Sequence, residues 1–119
     1  MSKRILSISY DQILLETRAA ILRKSGHNVI PVSNLGGFKH ALQEEDIDLV
    51  IVGHTVPQRD RDEAYRLMGE SQCECPVIEL YATSVPPESP AHFHLAVHDR
   101  TFEVDLLQLV RQVLAEGQN

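Results

Sequence analysis

Hydrophobic residues along this chain switch between two rhythms. Short apolar runs ended by turn formers alternate with longer stretches in which apolar positions recur every three or four residues. The first rhythm fits strands and the second fits amphipathic helices. The clearest run is DLVIVGHTVP at residues 48–57, where Leu49, Val50, Ile51 and Val52 follow one another without a polar break. With Gly53 and Pro57 closing it, this run reads as a strand over residues 48–53, buried on both faces. Residues 4–9 (RILSIS), 28–32 (NVIPV), 76–82 (PVIELYA) and 93–97 (FHLAV) read as further strands. Pro31 cannot donate to a ladder, which puts the second strand at a sheet edge.

Between strands the period lengthens. Ile13, Leu14, Thr17, Ala20, Ile21 and Leu22 form a helical stripe behind an Asp11 N-cap. Arg23 and Lys24 suit its last turn, and Gly26 suits the residue beyond it. Residues 35–45 predict a second helix starting near Asn34, with Phe38, Ala41 and Leu42 inward. Residues 60–70 predict a third, with Ala64, Leu67 and Met68 inward and Asp60, Asp62 and Glu63 serving its cap and dipole. Residues 102–115 predict a last helix, ended by Gly117. Residues 83–92 hold Pro86, Pro87 and Pro90, so the helix expected between the fourth and fifth strands is short or degenerate.

Strands alternating with helices predict an α/β fold. It is a five-stranded parallel sheet with helices on both faces, in the flavodoxin-like order 2-1-3-4-5. Residues 1–119 are expected to form a single domain. The short tail after the last helix fits a stand-alone one. In such a sheet, chemistry sits beyond the carboxyl ends of the strands. Gly53, His54 and Thr55 should therefore lie near any site.

Composition narrows the partner. The formal charge is 11 − 17 = −6, with no basic stripe, which argues against a nucleic-acid backbone. No apolar run approaches a membrane span, and no leader peptide is apparent. The cytoplasm is the default location. Cys73 and Cys75 are too few for a disulfide framework, and a bond between them would be strained, so they read as free, inert thiols.

RILSISYD, SGHNV, DLVIVGHTVP, PVIELYAT and the final amphipathic helix together resemble the receiver domain of two-component response regulators, over nearly the whole chain. Receivers take a phosphoryl group from a histidine kinase onto an aspartate at the end of the third strand. Acidic residues after the first strand hold Mg²⁺, a hydroxyl after the fourth senses the phosphoryl group, and a lysine after the fifth balances charge. The resemblance puts Gly53 at the nucleophile position. The acid pair falls on Ser9 and Tyr10, beside Asp11. The hydroxyl position falls on Tyr81, with Thr83 close behind, and the lysine position on His98 or Asp99. These residues, with His54 and Thr55, would form a degenerate phosphorylation pocket, the mark of an atypical or pseudo-receiver. A glycine would suit position 53 if the backbone there needs positive φ. The Tyr81 ring is expected to cover the space that Gly53 leaves open.

His54, His92, His94 and His98 invite zinc, and His54 should approach His98 across the sheet end. Three or four converging ligands are required, however, and solvated or half-buried imidazoles are the plainer reading. No nucleophilic Ser or Cys lies in order with His54 and Asp11 for hydrolysis. The expected function is a signalling module, not an enzyme, that binds a protein partner without aspartyl phosphorylation. That partner would be a histidine kinase, another receiver or a second copy. No cofactor, metal, nucleic acid or membrane is expected. The alternative is a small-ligand or metal-sensing domain using His54, His98 and Asp11. A phosphorelay receiver with another acceptor is a third reading.

Overall fold

A computed structural model describes residues 3–116. The elements run β1 (Arg4–Ile8), α1 (Gln12–Lys24), β2 (Asn28–Val32), α2 (Leu35–Glu44), β3 (Leu49–Val52), α3 (Gln58–Glu70), β4 (Val77–Tyr81), β5 (Phe93–Ala96) and α4 (Phe102–Glu116). The five strands form one parallel sheet in the order β2-β1-β3-β4-β5, the expected flavodoxin-like arrangement. Pro31 sits opposite Ser7 on the edge strand, where its missing donor disturbs no second neighbour. The proposed end of the last helix at Gly117 lies outside the described residues.

Alternation along each strand divides the interior in two. Ile5, Leu49, Ile51, Ile78 and Leu80 face α1 and α4, where Ala19, Leu22, Leu106 and Val110 meet them. Leu6, Ile8, Val50, Val52 and Val77 face α2 and α3, against Phe38, Ala41, Leu42, Ala64 and Leu67. β3 is buried throughout because it supplies both cores.

Several local expectations need correction. The buried face of α1 is Leu15, Arg18, Ala19 and Leu22, whereas Ile13 is 75% exposed. The stripe is rotated because a charged residue, Arg18, stands in its middle. α3 begins at Gln58 behind Pro57 with no side-chain cap. Of its acids, Asp60 alone lies in the first turn, where it receives the Tyr10 hydroxyl at 2.7 Å. Asp62 accepts from Gln58, and Glu63 pairs with Arg66. Between β4 and β5 there is no helix at all, so the prolines remove more than a turn or two.

Cys73 and Cys75, expected as free thiols, are joined in a disulfide with Cα atoms 5.5 Å apart. The turn beneath explains why they meet. Gln72 takes φ 56° and Cys73 N–H bonds to Met68 O at 3.1 Å, which folds the chain back at the end of α3.

Candidate functional site at the carboxyl ends of the strands

The β1–α1 turn and the β3–α3 loop meet at the carboxyl ends of β1 and β3, and their polar atoms are spent on each other. Thr55 Oγ1 accepts from Tyr10 N–H at 2.9 Å and shares a hydrogen bond with Ser9 Oγ at 3.0 Å. Ser9 Oγ accepts from Asp11 N–H at 3.3 Å. Asp11 Oδ1 accepts from Leu14 N–H at 3.1 Å, the N-cap of α1. Tyr10 is pushed up to about 12, by burial first and then by its hydrogen bond to Asp60. Ser9, Tyr10, Asp11 and Thr55 are therefore brought together, as turn-forming groups.

Gly53 has a different reason for being glycine. Its φ is not positive, since Gly26 alone among the described glycines takes that conformation. The constraint is space. A Cβ built on Gly53 would lie 2.9 Å from Ile8 O, 3.1 Å from Arg18 Nη1 and 3.2 Å from Ser9 Cβ. Gly53 N–H donates to that same Ile8 O at 2.8 Å, so the obstructing oxygen is held by the sheet itself.

Arg18 is the residue that the sequence reading missed. It is 4% exposed, it lies against the Phe102 ring at 5.7 Å, and its Nη2 donates to His54 Nδ1 at 3.2 Å. Arginine has no acceptor, so His54 Nδ1 must be unprotonated, and a neutral ring carries its proton on Nε2. Burial, then Arg18, lowers the His54 pKa, against a smaller opposing pull from Asp11. Burial also works against the charge on Arg18, and Asp11 is the nearby carboxylate that favours it. Among the described residues no carboxylate reaches ion-pair distance of Arg18.

The remaining expected site residues stand apart. Tyr81 meets His98 edge to face, with centroids 6.4 Å apart, so Arg18 and not Tyr81 borders the space beside Gly53. His54 is engaged with Arg18 and His98 with Tyr81. Thr83 Oγ1 donates to Val85 O within its own loop, and Asp99 O accepts from Phe102 N–H at the start of α4. Among the described residues no three His, Cys, Asp or Glu side chains converge to hold a metal ion. No described helix is long and apolar enough to cross a membrane.

A second buried charge lies on the α3 face of β4. Glu79 is 1% exposed, accepts from Tyr65 OH at 2.7 Å, and pairs with Arg61 Nη1 at 3.3 Å. His94 Nε2 lies 4.0 Å from it and hydrogen-bonds Ser89 Oγ at 2.9 Å. His92 Nδ1 accepts from Val77 N–H at 3.0 Å. This network fastens the proline-rich loop to the sheet where a crossover helix would otherwise pack. Burial and Glu79 push the Tyr65 pKa upward.

Comparison with solved structures identifies the fold as that of response-regulator receiver domains. The N-terminal domain of a response regulator/sensory box/GGDEF three-domain protein from Carboxydothermus hydrogenoformans aligns with a TM-score of 0.81 at 19% identity, covering 98% of this chain and 97% of that one. The signal receiver domain of an HD domain-containing protein from Pseudomonas fluorescens Pf-5 gives 0.81 at 17%, covering 99% and 98%. The receiver domain of a sensor histidine kinase from Pseudomonas aeruginosa PAO1, which has a magnesium ion coordinated in its active-site cleft, gives 0.80 at 17%, covering 97% and 99%. No protein-family model matches the sequence, and no curated protein matches it.

The residues present here do not fit a magnesium ion. Asp11 already caps α1, the Ser9 and Thr55 hydroxyls are tied to the turn, and a buried guanidinium stands beside Gly53. A hard cation needs several free oxygens and is repelled by such a charge.

Proposed function

We propose that this chain is a receiver-fold signalling module that binds a protein partner without aspartyl phosphorylation. The carrying observation is the crowding at Gly53. The position that corresponds to the receiver phosphoacceptor lacks a carboxylate, and Ile8 O and Arg18 Nη1 leave no room for one. Ser9, Tyr10, Asp11, Thr55, Tyr81, Thr83, His98 and Asp99 are then remnants of the pocket, used as turns, caps and an edge contact rather than as ligands. Arg18 supplies a fixed positive charge where receivers manage a variable one, which favours one standing conformation over a switch. On this reading the chain is not an enzyme. Its partner is a histidine kinase, another receiver or a second copy.

A titration with Mg²⁺ and beryllofluoride, followed by amide NMR, tests this. The amides of Ser9, Asp11, Gly53, His54 and Thr55 are expected to stay in place. A saturable shift at Gly53 and Thr55 would overturn the reading.

A further inference from the structure

We propose that Cys73 and Cys75 form a reversible thiol–disulfide exchange site that reacts best with neutral or cationic thiols. The pair lies between α3 and β4, at the opposite end of the sheet from Gly53. Its two flanks are fixed without it. Cys73 N–H is held by Met68 O, and Pro76 O accepts from Val50 N–H as β4 joins β3. Breaking the Sγ–Sγ bond therefore leaves two thiols separated by Glu74 alone and held near each other, so closing the bond again is intramolecular and fast. Both cysteines are half-buried, while Gln72 and Glu74 around them are exposed, so an incoming sulfur can reach the bond while the domain stays folded.

The surroundings set the choice of thiol. Cys73 shares a groove with Glu45, Asp46 and Glu74, and Cys75 shares the neighbouring groove with Asp48, Glu74 and Lys3. Arg4 is already paired with Glu45. Negative charge dominates the approach and repels an anionic thiolate reagent more than a zwitterionic or neutral one. In the reaction a thiolate bonds to one cysteine sulfur as the Sγ–Sγ bond breaks, and the other sulfur leaves as thiolate. A second equivalent of the thiol resolves the mixed disulfide. Two electrons pass to the pair, both cysteines take protons from water, and the donor departs as its own disulfide.

The test uses the unmodified protein. Reduction by cysteamine and by 3-mercaptopropionate is followed by alkylation and intact mass, with circular dichroism recorded alongside. The expected result is two alkyl groups gained with the fold retained, and none without reductant. Removing the thiol in air should restore the unalkylatable form. Per thiolate, and relative to the same ratio measured on an uncharged model disulfide, cysteamine should react about fivefold faster at about 0.01 M salt, and this relative ratio should fall towards one at about 1 M. The proposal is overturned if the pair is reduced only on unfolding, if oxidation never pairs the thiols, or if the ratio ignores salt.

Discussion

Arg18 and Glu79 are buried charges on opposite faces of one sheet, and their surroundings differ in kind. Glu79 has a guanidinium and a phenol hydroxyl on its carboxylate. Arg18 has an imidazole nitrogen and an aromatic face, and no carboxylate at ion-pair distance among the described residues. The neutralised charge belongs to architecture, because it ties α3 and the proline-rich loop to β4. The unneutralised charge stands at the carboxyl ends of β1 and β3, where a parallel sheet keeps its chemistry. A buried charge without a close counter-ion is costly to desolvate, so on the proposed reading Arg18 bears on the state of the site rather than on stability.

The largest expected effect separates the two arginines. Arg61→Met strands the Glu79 carboxylate and should cost about 3 kcal/mol, whereas Arg18→Met leaves only the neutral His54 Nδ1 acceptor without its donor, strands no charge, and should stay within about 1 kcal/mol. Urea unfolding of both variants measures this. Equal losses would mean that Arg18 is neutralised after all, and the contrast would collapse.

Gly53→Ala comes next. Its Cβ would meet the sheet-held Ile8 O, so a loss of about 2 kcal/mol is expected. Combining it with Arg18→Met sharpens the point. The nearer obstacle is backbone, so the double variant should recover little of the loss. Full recovery would make Arg18 the sole obstacle.

The pH dependence is smaller and has a definite sign. The folded-state pKa of His54 lies below the ordinary 6.5, through burial and then Arg18. The unfolded chain therefore binds the proton first, and the stability tied to neutral His54 is present above pH 6.5 and lost as pH falls through the folded value. His27, lowered by burial and by Arg111, adds in the same direction. In Arg18→Met the His54 ring should titrate closer to 6.5, as read by imidazole NMR. No movement would mean that burial alone sets it.

Tyr81→Ala closes the series, with a loss of about 1 kcal/mol from its edge contact with His98. A loss near zero would make Tyr81 a surface ring.

The strands, their order, the edge position of β2 and the helix-poor stretch at residues 83–92 were legible, because alternation, β-branched runs and proline act locally. The site was legible by position and not by occupant. Ser9, Asp11, Gly53, His54 and Thr55 do gather, yet Arg18 was hidden because an arginine in a helix normally counts as solvated. The spacing of Leu15, Ala19 and Leu22 around it was the available signal. Glu79, a lone acid inside PVIELYA, was a similar signal left unread. Tyr81 was misjudged because strand position alone does not say which side chain fills a gap. The Cys73–Cys75 bond depended on the backbone reversal at Gln72, which pattern does not reveal.

The most direct test of the central claim is intact mass after incubation with acetyl phosphate and Mg²⁺. An unchanged mass is expected for the native chain and for Gly53→Asp, because on the proposed reading Asp11 is spent on capping α1 and Ile8 O crowds position 53. The added mass of one phosphoryl group on an aspartate of the native chain would contradict the account.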